Sequence, residues 1–161
     1  MAETGKDSWE KLYRYWRSKH VDGRPPARED IDPPIEIPQF AANLMIIDIM
    51  PDGFHYRLVG SALREWLGGE LTGKAVGSSS LSEAIRREWK DLLELVSGDQ
   101  KPRMLVARAP TEMSFSNLML VLPLVDRTGK TERLLAGAFF RCQDFRRDSL
   151  VDEVMIREID G

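Results

Sequence analysis

The chain is poor in the residues on which most site chemistry depends. Its 161 residues include one cysteine and two histidines. Cys142 alone cannot build an intramolecular disulfide framework or a multi-cysteine metal centre. His20 and His55 are too few and too isolated for a hydrolase reading, and no nucleophile-elbow pattern precedes a helix. No run approaches the roughly 18 apolar residues that span a bilayer. The opening Met1–Asp7 has no apolar stretch behind basic residues, so no secretory signal is expected and the expected location is cytoplasmic. One-signed charge is also missing. With 23 basic and 26 acidic residues the net charge is −3, which gives no pull toward nucleic acid or anionic lipid, and neither is an expected partner. No internal repeat or low-complexity tract occurs.

What is there suits a globular domain. Apolar content of 42% and charged content of 30% are ordinary for such a domain. The length allows one sizeable core plus short extensions. Asp7 and Glu10 have capping-box spacing, and Trp9, Leu12, Tyr13 and Trp16 fall at i, i+3, i+4 and i+7, which predicts an amphipathic helix over residues 8–20. That aromatic face must dock on its own sheet or on a partner subunit, and residues 8–20 are the expected homodimer interface. Gly23 to Pro38 holds closely spaced prolines, so it reads as an extended strap with short turns near 27–30 and 37–42.

Leu44–Met50 reads as a strand buried on both faces apart from Asp48, and Pro51-Asp52-Gly53 as a turn. Phe54, Tyr56 and Leu58 alternate with His55, Arg57 and Val59, completing a hairpin. Ser61–Leu67 follows as a very short helix, ended by Gly68 and Gly69. Ser80 and Glu83 cap a longer helix whose stripe is Leu81, Ile85, Trp89, Leu92, Leu93 and Val96. Three strands are then expected, at 103–109, 113–125 and 133–142. On the longest, Phe115, Asn117, Met119 and Val121 share one face and Leu118, Leu120, Leu122 and Leu124 the other, so the sheet needs cover on both sides. In the tail, Leu150, Val151, Val154, Met155 and Ile159 have helical spacing, and a helix is expected there, with a strand as the alternative. The organisation is therefore a helix and strap over 1–39, a main domain over 40–143 and a tail over 144–161.

This order of elements resembles a PAS domain. The hairpin Leu44–Val59, Gly68, the Glu70-Leu-Thr-Gly73-Lys74 run, Leu12-Tyr-Arg-Tyr-Trp16, the strap and Tyr56-Arg-Leu-Val-Gly60 together look like a small, mostly single-domain alphaproteobacterial PAS subfamily. The resemblance implies an α+β fold: a five-stranded antiparallel sheet of order 2-1-5-4-3 with short helices on one face. It implies ligand or partner binding, frequent dimerisation through an N-terminal helix, and no chemistry of its own. Two departures bear on the cofactor, which stays unassigned. Flavin-binding relatives carry a reactive cysteine on a mid-domain helix, whereas Cys142 sits at the end of the last strand. Haem-binding relatives place a histidine on the long helix, and residues 81–97 contain none.

The pocket residues expected on this resemblance are Tyr56, Trp66, Trp89, Leu92, Phe115, Asn117 and Met119. Asn117 is the sharpest, because a polar group on an apolar face needs a partner. His55 reads as a hydrogen-bonded strand residue, His20 as a charge complement to a helix end, Arg57 and Arg108 as surface salt-bridge partners, and Cys142 as a small hydrophobe. The expected function is a stand-alone sensory and signalling module that binds a small apolar or amphipathic ligand and transmits through a protein partner. A ligand-free dimerisation module is the alternative, and an enzyme on a cone-shaped α+β scaffold a third reading.

Overall fold

The computed structural model describes residues 5–78, 83–108, 117–140 and 153–159. Helix α1 (Gly5–Ser18) is followed by the strap, in which Arg28–Asp30 and Pro38–Asn43 form 3₁₀ turns around a short helix α2 (Pro33–Glu36). Strands β1 (Leu44–Met50) and β2 (Gly53–Val59) form the hairpin, and α3 (Ser61–Leu67) comes next. Helix α4 (Glu83–Asp99) precedes β3 (Arg103–Arg108), β4 (Asn117–Val125) and β5 (Thr131–Phe140). The capping residue expected at Ser80 and the expected strand start at 113–116 lie outside the described residues.

The described strands, with β6 (Glu153–Glu158) beyond β3, join one antiparallel sheet of order β2-β1-β5-β4-β3-β6. The five-strand order is the one expected. The sixth strand, β6 (Glu153–Glu158), corrects the tail: residues 153–158 pair antiparallel with β3 and are not a helix. Without β6 the backbone groups of β3 would line an open edge, and pairing them outweighs a helical spacing that has no apolar surface to dock on.

A second correction lies in β2. Ile47 pairs with Tyr56 but Ile46 pairs with Leu58, so Arg57 is an extra residue, a β-bulge. Strict alternation would put Tyr56 and Leu58 on one face. The bulge shifts the phase, so Tyr56 and Val59 join one core cluster while Leu58 packs on the other.

Both faces of the sheet are covered. Helices α3 and α4 supply Leu63, Leu67, Ile85, Trp89, Leu92, Leu93 and Val96 to a cluster with Met45, Ile47, Met119, Val121, Ala136 and Ala138. On the opposite face α1 and the strap supply Leu12, Trp16, Ile31, Ile37 and Phe40 against Leu120, Leu122, Leu124 and Leu135. The aromatic face of α1 therefore docks on its own sheet. Two details fix it there. A Cβ on Gly137 would lie 2.6 Å from Leu12 Cδ2, so only glycine leaves a socket for that leucine. The Trp16 indole donates to the Pro123 carbonyl at 2.9 Å, beyond the point where β3 could pair with it.

Strand β5 carries Ala136-Gly137-Ala138 at its centre, with the alanines toward α4 and the glycine toward α1. The strap is latched to α1 through Glu36, which accepts from Tyr15 Oη at 2.7 Å, Lys19 Nζ at 2.5 Å and the Asp32 amide at 2.9 Å. Those donors hold its carboxyl at about 2. Burial, together with the same contact with Glu36, pushes the Tyr15 hydroxyl well above its usual range.

Candidate functional site in the helix-covered core

Period-2 alternation on β4 and period-3.6 spacing on α4 aim side chains at one another across the helix-covered face. The structure brings Tyr56, Trp89, Leu92 and Met119 into that single cluster. They are 1%, 0%, 0% and 3% exposed, so each is enclosed by neighbours. The side chains of Trp66 and Asn117, and all of Phe115, lie outside the described residues. The dimer-face residues divide: Leu12 and Trp16 are buried against their own sheet, while Trp9 and Tyr13 are half-buried on the flank of α1.

The chemistry of the helix-side cluster is one-sided. Its buried members carry no formal charge, and its aromatic polar atoms belong to Tyr56 and Trp89. Trp89 Nε1 is fully buried and has no hydrogen-bond partner among the described residues. Leaving such a donor unmet costs about 1–3 kcal/mol. An acceptor delivered from outside the chain would recover that cost, and the Tyr56 hydroxyl is the second polar group described at this site.

Two open grooves lie elsewhere. One of about 760 Å³ runs between the strap and the β4–β5 turn, with Arg24, Arg28, Arg127 and Arg133 opposite Asp126 and Glu132. The other, of about 670 Å³, lies between the β1–β2 turn and α4, with Phe54 and Val76 on its floor and Arg86, Arg87 and Lys90 on its rim. In both, cations and carboxylates alternate, so neither presents a field of one sign. Neither is lined by Tyr56, Trp89, Leu92 or Met119.

His55 and Arg57 have local partners, while the Arg108 side chain and Cys142 lie outside the described residues. His55 Nε2 lies 3.0 Å from Asp52, and Arg57 lies 3.6 Å from Asp48, which Arg133 also meets at 2.9 Å. His20 differs from expectation: burial beside Trp16 pushes its imidazole below the usual range, so the neutral form is favoured at the end of α1. No group of three or more potential ligand side chains gathers at metal-binding distance among the described residues, and no described helix is long and apolar enough to cross a membrane.

Sequence reasoning missed the charged group that pins the sheet edge. Arg103 Nη1 and Nη2 donate to the two Asp99 carboxylate oxygens at 2.7 and 2.5 Å, and Nη2 also reaches Glu158 at 3.3 Å. The Arg103 hydrogen bonds hold the Asp99 carboxyl at about 2. The i,i+4 spacing of Asp99 and Arg103 was visible in the sequence, but Glu158 comes from 55 residues away.

A hairpin, short helices, one longer helix and returning strands around a single antiparallel sheet define an α+β module with an enclosed helix-side core. The chain belongs to the PAS domain family, which matches residues 5–139. As such it is a sensory or signalling module in the general sense. Among solved structures it is similar to "VqmA bound to DPO" at 13% identity and a TM-score of 0.49, over 63% of this chain and 53% of that one. The chain thus spans about half the length of that protein. It is also similar to the PAS domain of Bordetella pertussis BvgS at 18% identity, TM-score 0.45, over 63% and 78% of the two chains. The light-state Aureochrome1 LOV structure aligns at 12% identity, TM-score 0.44, over 68% and 88%. No curated protein matches the chain.

Proposed function

We propose that the chain is a sensor without chemistry of its own, holding a small, uncharged, largely apolar molecule between α4 and the sheet and signalling through protein contacts. The observation that carries this reading is Trp89: a wholly buried indole N–H with no acceptor among the described residues, in a cluster whose described buried members carry no charge. An anionic guest would meet no cation there and would bear its full desolvation penalty. A neutral guest with one carbonyl or ether oxygen would satisfy the indole. Occupancy would favour one packing of α3 and α4 over the sheet, and the difference in affinity between packings limits the signal. Trp9 and Tyr13, half-buried on α1, are the residues through which a homodimer would form.

Non-denaturing mass spectrometry of the purified protein tests the sensor. A retained mass that disappears in Trp89→Phe supports it. Bare mass in both proteins, with Trp89→Phe at least as stable as the parent, means the N–H is simply unmet and ends this reading. The second reading, a ligand-free interaction module, is favoured by the close packing of Tyr56, Leu92 and Met119, none more than 3% exposed.

A further inference from the structure

The family match ends at residue 139, yet the sheet continues for one more strand. Strand β6 pairs with β3 from Glu153↔Arg108 to Glu158↔Arg103. The two strands are held unequally. In β3, Arg103, Met104, Leu105 and Val106 are all buried. Of the described side chains from Ile156 to Ile159 none is buried: Arg157 and Glu158 are exposed, and Ile156 and Ile159 are half-buried at the margins of the two clusters. So the described side chains of β6 add little burial, while the strand covers a row of backbone donors and acceptors on an apolar neighbour. The opposite sheet edge is closed differently, by hydrogen bonds from Gly73 N to Tyr56 O and from Tyr56 N to Lys74 O.

We propose that the outer edge of β3 is a docking site for an extended strand of a partner protein, with β6 as the stand-in that such a strand displaces. The register specifies the partner. It runs antiparallel to β3, with an apolar residue opposite Leu105, as Ile156 is, and an acid opposite Arg103, as Glu158 is. Asp99 holds the Arg103 guanidinium in place whichever strand is bound, and that side chain is only 7% exposed. One N–H of Nη2 is therefore positioned for a second carboxylate, and a basic residue there would meet a fixed cation. Main-chain pairing would supply affinity and these two positions specificity, as in strand addition generally. The proposal rests on the reading that the chain signals through protein contacts and is independent of the Trp89 site.

The test uses the full chain and a fluorescein-labelled peptide with the sequence Glu153–Ile159, followed by anisotropy. Weakening the resident strand by Ile156→Asp or Glu158→Lys should raise peptide affinity about tenfold. Lysine at the peptide position equivalent to Glu158 should lower it by a similar factor. Backbone amides of β6 should also exchange about a hundredfold faster than those of β4. Failure of the peptide to bind either variant, with β6 amides protected as well as β4, overturns the proposal. Should Ile156→Asp not fold, Glu158→Lys decides, because it changes only an exposed side chain. A dimer that forms in the variants and dissolves on adding peptide would place a second copy's β6 on the edge and overturn the foreign partner. Peptide binding with no retained mass at Trp89 would sink the ligand sensor and leave the docking edge standing.

Discussion

Leu12 and Gly137 meet so closely that position 137 is set by contact. A Cβ there would also lie 3.1 Å from Phe139 Cε2. Gly137→Val should destabilise the protein by about 1–3 kcal/mol through overpacking, read as a lower urea midpoint. Leu12→Ala should cost about 2–5 kcal/mol, since a fully buried leucine leaves a cavity. Asp99 gives a pH signature. Its folded carboxyl sits at about 2 against an ordinary 3.8. A depressed acid stabilises fully above its unfolded value, and the contribution disappears as pH falls from about 4 toward 2. Asp99→Asn should therefore lower stability at neutral pH and flatten the acid-side loss in urea melts at a series of pH values. The Asp99 side chain is 40% exposed, so solvent screens the pair and keeps both effects modest.

At the scale of elements, α1 is the clearest case of a helix legible in advance. Its aromatic stripe had to be covered, and the structure covers it with the sheet of the same chain. Trp16→Phe keeps an aromatic ring but removes the donor to Pro123 and part of the buried indole, so it should cost at least about 1–3 kcal/mol and loosen α1 selectively. Amide exchange along residues 5–18 reads that loosening. The hairpin and α4 were equally legible, because their apolar periods are long and bounded by turn residues. The Arg57 bulge was not, since nothing local marks an extra residue that only register across β1 reveals. Nor was β6: spacing over six residues with three apolar side chains suits a helix as well as a strand, and the choice was made by the edge of β3, far away in sequence. Of the residues expected at a pocket, Tyr56, Trp89, Leu92 and Met119 share one core cluster because each lies on a periodic element aimed at that core.

At the scale of the molecule, two covered faces and one replaceable edge divide the work. The helix side would receive a guest, and the β3 edge would engage a partner. Sedimentation velocity should show a homodimer that Trp9→Lys dissociates with its melting temperature within a few degrees, since Trp9 is only half-buried. A Leu12→Asp change cannot serve that purpose, because it would unfold the sheet's cover before reporting on association.

The Ala136-Gly137-Ala138 stretch has one last implication. At this point of β5 the side chains facing α4 are methyl groups, and a bare Cα abuts Leu12 of α1. A displacement of α4 toward β5 would therefore press on Leu12 through little side-chain bulk. The shortest mechanical route from one side of this protein to the other runs through three of its smallest residues.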